Sequence, residues 1–293
     1  MKILFVIAHY YKYEKENALY ASLRGDKKAK LDAILNCILY LHYNFGSAQT
    51  VINWGNGTVS LVNQNKEYSI DIVVCTSGDC HLLNEMTIPE NLFHHHLTNA
   101  EPLLLGFECH ELLYKNIGQY DYYCYLEDDI IIQDPLFFNK LNWFNFGAGD
   151  ECLLQPNRYE ISRERIPLKT YIDGDLSISA TQNFQNIEDD RYLEGDLLTI
   201  PVTFVRPLNP HSGCFFLNKT QLEYWSSKDY FLDRDTRFVG PLESAATLGI
   251  MKTFKVYKTI DSQPNLFEVM HWGSHYLNKI DKKIQLSKGG SPH

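Results

Sequence analysis

The sequence predicts an α/β fold: a mostly parallel central sheet flanked by helices, in a single compact unit. Two observations predict it. Residues 2–8 (KILFVIA) and 69–76 (SIDIVVCT) are short, largely apolar runs, as expected of strands covered on both faces. A strong helical period lies between them, so strands and helices alternate along the first half of the chain. With 293 residues, 44% of them hydrophobic, the chain can bury the core that such a sheet needs.

The elements follow in order. After the first strand, Asp26 stands at an N-cap position ahead of KKAKLDAILNCILYLHY. In that segment Leu31, Ile34, Leu35, Ile38, Leu39 and His42 recur at helical spacing, and Gly46 marks the exit. TVINW, a GNG turn and VSLV predict a hairpin. Residues 99–118 predict a helix with Pro102 in its first turn and Gly118 past its end. YDYYCYL (120–126) is a third strand, after which Asp134 and Pro135 read as the N-cap and first residue of another helix. The second half is less regular. TIPVTFVRP, GCFFLN and FKVYKTI predict strands, KTQLEYWSS and PLESAATLGIM short helices, and residues 156–200 are polar without a sustained period.

Composition excludes several classes. The formal net charge is −9 and no basic block exceeds Lys27-Lys28, so the basic face of a nucleic-acid binder is missing. No GxGxxG follows the first strand and no GxxxxGK[ST] occurs, which argues against Rossmann dehydrogenases and P-loop NTPases. The seven cysteines are scattered and form no CxxC pair, which predicts small buried hydrophobes in a reducing compartment. The apolar run before His9 is too short for a signal peptide or a membrane span. A cytoplasmic location is expected, and peripheral membrane association is compatible with it.

Chemistry concentrates at Glu127, Asp128 and Asp129, directly after the third strand. Ligands of open α/β sheets bind beyond the carboxyl ends of the strands. In extended chain Glu127 and Asp129 point one way and Asp128 the other. Clustered carboxylates beside a low-dielectric sheet repel each other, and a divalent cation removes that penalty; hard oxygens suit Mn²⁺ or Mg²⁺. Acidic clusters at 173–175 (DGD), 188–190 (EDD) and 194–196 (EGD) are rivals. None of them follows a strong strand and precedes both an apolar run and a capped helix.

This order of elements, with a strand ending in EDD and a second half with an acceptor-side loop, resembles the GT-A type nucleotide-sugar glycosyltransferases. The resemblance covers most of the chain as an order of elements and rests on short pieces as residue identity. It implies a GT-A-like, Rossmann-related fold in which residues 1–133 hold the nucleotide sugar and 134–293 the acceptor. It implies Asp129 as the principal metal ligand, with Glu127 and Asp128 assisting around metal and donor; Glu127 departs from the Asp of many members. A further ligand from near the C-terminus would be His271, in FEVMHWGSHYL, ahead of His275. Glu243, following Gly240-Pro241, would be the general base of an inverting transfer. His211, Ser212 and Gly213, in NPHSGCFFL, match the family's segment under acceptor and donor sugar, with Gly213 allowing close approach to the sugar. His9, Tyr10 and Tyr11 after the first strand, Asp79 after the second, and Arg24 before the first long helix are the expected contacts to base and diphosphate. The three histidines 94–96 are not expected to hold a metal, because adjacent side chains diverge on helix and strand alike.

The expected activity is metal-dependent transfer from a nucleotide sugar, a UDP-sugar first, to the hydroxyl of a glycan or other acceptor. A metal-dependent phosphohydrolase or nucleotidyltransferase, and a non-catalytic carbohydrate-binding protein, are the alternatives.

Overall fold

The computed structural model describes residues 1–12, 26–64, 68–162, 164 and 166–280. Strand β1 (Lys2–Ala8) is followed by helix α1 (Lys27–Phe45), the hairpin β2 (Thr50–Asn53) and β3 (Thr58–Leu61), and strand β4 (Ser69–Ser77). Then come β5 (His94–Thr98), α2 (Leu105–Lys115), β6 (Tyr122–Glu127), the short β7 (Ile130–Ile131) and α3 (Phe137–Ala148). The second half contributes β8 (Cys152–Leu154), β9 (Asn157–Ile161), β10 (Lys169–Tyr171), β11 (Tyr192–Leu197) and β12 (Ile200–Val205). It closes with β13 (Cys214–Asn218), α4 (Lys219–Ser226), α5 (Pro241–Thr253), β14 (Lys255–Thr259) and β15 (Glu268–His271).

A five-stranded sheet has the order β13-β6-β1-β4-β5. The pairs β1·β4, β1·β6 and β4·β5 are parallel, and β13 returns antiparallel on β6. The period-2 alternation of β1 divides the core. Ile3, Phe5 and Ile7 pack with Ile34, Cys37, Ile38 and Leu41 of α1 and with Phe137 and Phe138 of α3. Leu4 and Val6 face the other way, onto Leu105, Cys109 and Leu113 of α2 and Ala246 and Ile250 of α5. Each Leu, Ile, Val or Phe among them, fully buried, contributes about 1.5–3 kcal/mol. Two four-stranded sheets, β10-β9-β15-β7 and β11-β12-β14-β8, stand beside this layer. Strand β13 from the second half joins the first sheet, and β7 from the first half joins β15, so the sheets interleave the two halves. No helix among the described residues is long and apolar enough to cross a membrane. All seven cysteines are free, and six are buried.

The structure departs from the sequence reading in four places. Asp26 does cap α1, accepting the Lys28 N–H at 3.0 Å. The buried stripe, however, is Ala33, Ile34, Cys37, Ile38, Leu41 and Phe45, with Leu31, Leu35 and Leu39 only half-buried. That rotation puts Lys30, one turn before Ile34, at the sheet. Second, the helix expected over 99–118 starts as a 3₁₀ turn at Pro102–Leu104 and is α-helical only from Leu105 to Lys115. Ala100 is tied back by Ser77 Oγ (2.6 Å) and Thr98 Oγ1 (3.2 Å), which holds the chain out of the helix. Third, Asp134 does not cap α3. Its carboxylate accepts the Leu136 N–H (2.8 Å) in a local turn and pairs with Lys140 (2.7 Å), so the helix begins at Phe137. Fourth, the stretch read as patternless contains β9, β10 and β11.

His110 gives the fold a pH dependence. It sits on α2 under α5, with Nε2 at 2.9 Å from the Ala245 carbonyl, among Phe107, Tyr125, Phe215 and Trp225. Burial lowers its pKa from 6.5 to about 4, outweighing the opposing bond to Ala245. Above pH 6.5 folded and unfolded chains are both neutral here, and the group contributes no pH dependence. Below it the unfolded chain takes a proton that the folded chain refuses, so stability falls as pH drops from 6.5 towards 4, by up to about 3 kcal/mol. Thermal melts across that window are expected to show a shallower decline for His110→Gln than for the parent protein; equal slopes refute the assignment.

Candidate functional site

At the carboxyl end of β6 the three acids take separate partners. Asp128 turns into the protein: Oδ2 lies 2.5 Å from His9 Nδ1 and Oδ1 lies 2.6 Å from Lys30 Nζ. The Leu82 N–H donates to His9 Nε2 at 3.1 Å, so the ring proton is on Nδ1 and points at Asp128. His9 and Asp128 are therefore buried together, with both ring nitrogens engaged, and knit the ends of β1 and β6 to α1. Expected as contacts to a donor, both spend their polar atoms on protein partners instead.

Asp129 turns to the second half. Its Oδ2 is 3.4 Å from His271 Nε2, and the Trp272 N–H donates to its backbone carbonyl at 2.7 Å. Antiparallel pairing of β15 with β7 sets His271 opposite Ile130, which fixes this approach. Behind the ring, His271 Nδ1 is 2.9 Å from Glu160 Oε1, and Glu160 also accepts the N–H groups of Tyr276 and Leu277. Burial opposes charge on the ring, but Asp129 and Glu160 raise its pKa to about 9. Burial likewise opposes charge on Asp129, yet His271, Lys30 and Arg158 hold it well below the usual carboxylate range. The other oxygen, Asp129 Oδ1, is buried and has no hydrogen-bond partner.

Glu127 shares the side of Asp129. Its Oε2 is 3.6 Å from Arg158 Nη1, and Arg158 binds Asp173 through Nε (3.2 Å) and Nη2 (2.9 Å). Lys258 completes the row, 3.8 Å from Asp173, and donates to the His211 carbonyl at 2.6 Å. Burial raises Glu127 to about 7 against the pull of Arg158, and the charges of Asp129 and Glu243 add to the rise. Gly213, at φ +63, makes this row fit: a Cβ there would lie 2.8 Å from Glu127 Oε2 and 3.1 Å from Arg158 Nη1. Its open space is filled by protein side chains, where the sequence reading left room for a sugar.

The other expected residues are placed as follows. Glu243 is half-buried in the first turn of α5, close enough to repel Glu127. His211 is buried, with Nδ1 at 2.9 Å from Thr247 Oγ1, and burial lowers it to about 3. Ser212 is fully buried and donates to the Pro156 carbonyl at 2.7 Å. Tyr11 is buried, and Tyr10 packs against the cluster around Val6 and Cys75. Asp79 is exposed, as is His275, which turns away from Asp129 to pack on Tyr276. The three histidines lie on the edge strand β5. Arg24 lies outside the described residues.

Among the described residues no group of three or more His, Cys, Asp or Glu side chains could by itself hold a metal ion. The donor set is a pair, Asp129 and His271. The carboxylate suits Mn²⁺ or Mg²⁺, which take few protein ligands and complete their shell with water and phosphate oxygens, and His271 would join as a ligand by giving up its Nε2 proton. The orphaned Oδ1 is a ready acceptor for such an ion, and Glu160 orients the imidazole as carboxylates behind ligating histidines do.

Sequence reasoning missed Lys30, Arg158, Glu160, Asp173 and Lys258. Two left a signal. Lys30 continues the apolar stripe of α1 through Ile34, and Asp173 belongs to one of the rival acidic clusters. Arg158 and Glu160 alternate on one face of β9, a pattern visible only once that strand is known.

No protein-family model matches the chain, and no curated protein sequence does. Among solved structures, the crystal structure of an active-site mutant of LgtC is similar at 10% identity, covering 87% of this chain and 71% of that one, with a TM-score of 0.37. A likeness of that degree carries no argument, and the site is read from its own geometry.

The acids should separate by stability. Asp128→Ala strips His9 and Lys30 of their shared buried carboxylate and is expected to cost about 3 kcal/mol or more, seen as a fall in melting temperature. Asp129→Ala removes one unsatisfied oxygen and one paired with His271, whose ring keeps Glu160, and is expected to lower the melting temperature by less than Asp128→Ala does. Equal losses would place both acids in the scaffold.

Proposed function

We propose that this chain is a glycosyltransferase that uses a divalent cation to bind a nucleotide-sugar donor, a UDP-sugar first, and transfers the sugar to a hydroxyl acceptor. The observation that supports this reading is the Asp129–His271 pair at the carboxyl edge of the parallel strands, with one carboxylate oxygen buried and unpartnered. A Mn²⁺ or Mg²⁺ ion there would offset the charge that builds on the departing diphosphate. Asp129 and His271 hold that position, and Glu160 keeps the ring turned towards it. Glu127 and Arg158 form the adjoining wall, with Arg158 locked by Asp173. Glu243 serves as the base that takes the acceptor proton, from a helix start that is free of hydrogen bonds to the neighbouring acids.

A phosphohydrolase of the two-metal kind needs more clustered ligands. Asp173, the buried member of the rival clusters, is already consumed by Arg158 and Lys258. That observation favours the single-cation transferase.

Calorimetric titration with UDP is expected to show binding strengthened by Mn²⁺ in the parent protein and no Mn²⁺ effect in Asp129→Ala. Equal UDP affinity with and without Mn²⁺ in both proteins overturns the reading. Glu243→Gln is expected to keep UDP binding and to lower transfer about 10²–10⁴-fold; an unchanged rate removes Glu243 from the chemistry.

A further inference from the structure

A second feature lies beside α5, outside the acidic row. A cavity of about 710 Å³ is lined by Asn183, Phe184, Tyr230, Arg237, Val239 and Lys252. We propose that this cavity is the acceptor subsite and that it takes an uncharged saccharide, an inference that rests on the transferase reading. The volume falls within the range of about 300–1,000 Å³ of small-molecule sites.

The lining selects the chemistry. The Arg237 guanidinium lies 5.7 Å from the Phe184 ring, and Lys252 Nζ lies 4.3 Å from the Tyr230 ring. Both cations are balanced. Arg237 grips Asp235 through Nε (2.9 Å) and Nη2 (2.6 Å), while Lys252 is 3.1 Å from Asp233 and 3.5 Å from Asp235. Two positive and two negative groups cancel, so the cavity offers no net charge to an anionic or cationic ligand. A sugar ring needs no net charge. It offers C–H groups to Phe184 and Tyr230 and hydroxyls to Asn183 and Arg237, all on the lining.

The wall is also strained, an independent sign of a built site. Val239, on the lining, has φ +58. For a β-branched residue such as Val239 this is an outlier conformation. The Gly240 N–H closes a three-residue turn onto the Phe238 carbonyl at 2.6 Å, and Val239, at its tip, is 68% exposed. The same turn leads to the proposed base: a Cβ on Gly240 would lie 2.9 Å from Glu243 Oε2. Glu243 thus lies against the turn that forms the cavity lip, and its charge acts on Glu127. That is where a base must stand to receive a proton from an acceptor and face a donor.

The test is saturation-transfer NMR on the full chain with lactose, maltose and cellobiose as probes and sialyllactose as the charged control, each with UDP and Mn²⁺ present. At least one neutral disaccharide is expected to bind, with affinity at least about tenfold lower in Phe184→Ala and in the surface variant Arg237→Ala, while UDP binding stays unchanged. The inference is overturned if no neutral disaccharide binds, if binding ignores both substitutions, or if sialyllactose binds as well as lactose. Should UDP fail to bind the parent protein while a disaccharide binds and is lost in both variants, the transferase reading falls and a saccharide site stands. UDP binding with disaccharide affinity indifferent to both variants sinks the cavity assignment alone.

Discussion

Three consecutive carboxylates at the end of a buried strand impose the constraint on which this structure depends. Desolvating an unpaired carboxylate costs several kcal/mol, so each must find a cation, a donor or a proton. The fold answers three times. Asp128 receives Lys30 and His9, Asp129 receives His271, and Glu127 receives Arg158 at a longer distance while burial raises it to about 7. The answers differ in quality, and the difference separates scaffold from site. Asp128 is saturated on both oxygens; Asp129 is satisfied on one.

Meeting that demand explains much of the second half. Strand β9 brings Arg158 and Glu160 from one face, and β15 lies parallel to it with Val269 opposite Arg158 and carries His271 at its end. Strand β13 crosses to the first sheet, where the Gly213 carbonyl accepts the Glu127 N–H at 2.9 Å. Gly213 itself has to lack a side chain because Glu127 and Arg158 use the space beside it. Sheets that look separate in topology are therefore joined by charge at one point. Such compensation stabilises little in net terms, since desolvation offsets most of the Coulomb gain. Its effect is to fix where Asp129 and Glu127 point.

How much of this could be read from the sequence follows from how local each signal is. β1, β4, β6, the hairpin and α5 are written in their own residues, as apolar runs, a GNG turn and a Gly-Pro start. The position of the acidic cluster was legible for the same reason. β9 was not, because its inward residues are charged, and Arg158 and Glu160 are tolerated inside only through partners such as Asp173 and His271. Those partners lie 15 and 111 positions away. No window of sequence contains that compensation. The helix starts at Asp134 and Pro102 misled for a smaller reason: Asp134 and Thr98 spend their hydrogen bonds on local turns, a competition that residue type alone does not resolve.

The unsatisfied oxygen of Asp129 carries the remaining step. Leaving a buried acceptor without a partner costs about 1–3 kcal/mol, and more when it is charged. The surroundings could have relieved that cost. Arg158 is close enough to act on Asp129 electrostatically, yet both its chelating nitrogens are turned to Asp173. Lys30 also acts on Asp129, yet it is bonded to Asp128. Two cations whose charge acts on Asp129 are thus bonded to other carboxylates, and one oxygen stays unpartnered beside an imidazole whose orientation is set from behind by Glu160. A scaffold acid in the same place would be expected to close like Asp128. An acid that must bind a cation has to stay open, and Asp129 is the member of the cluster built that way.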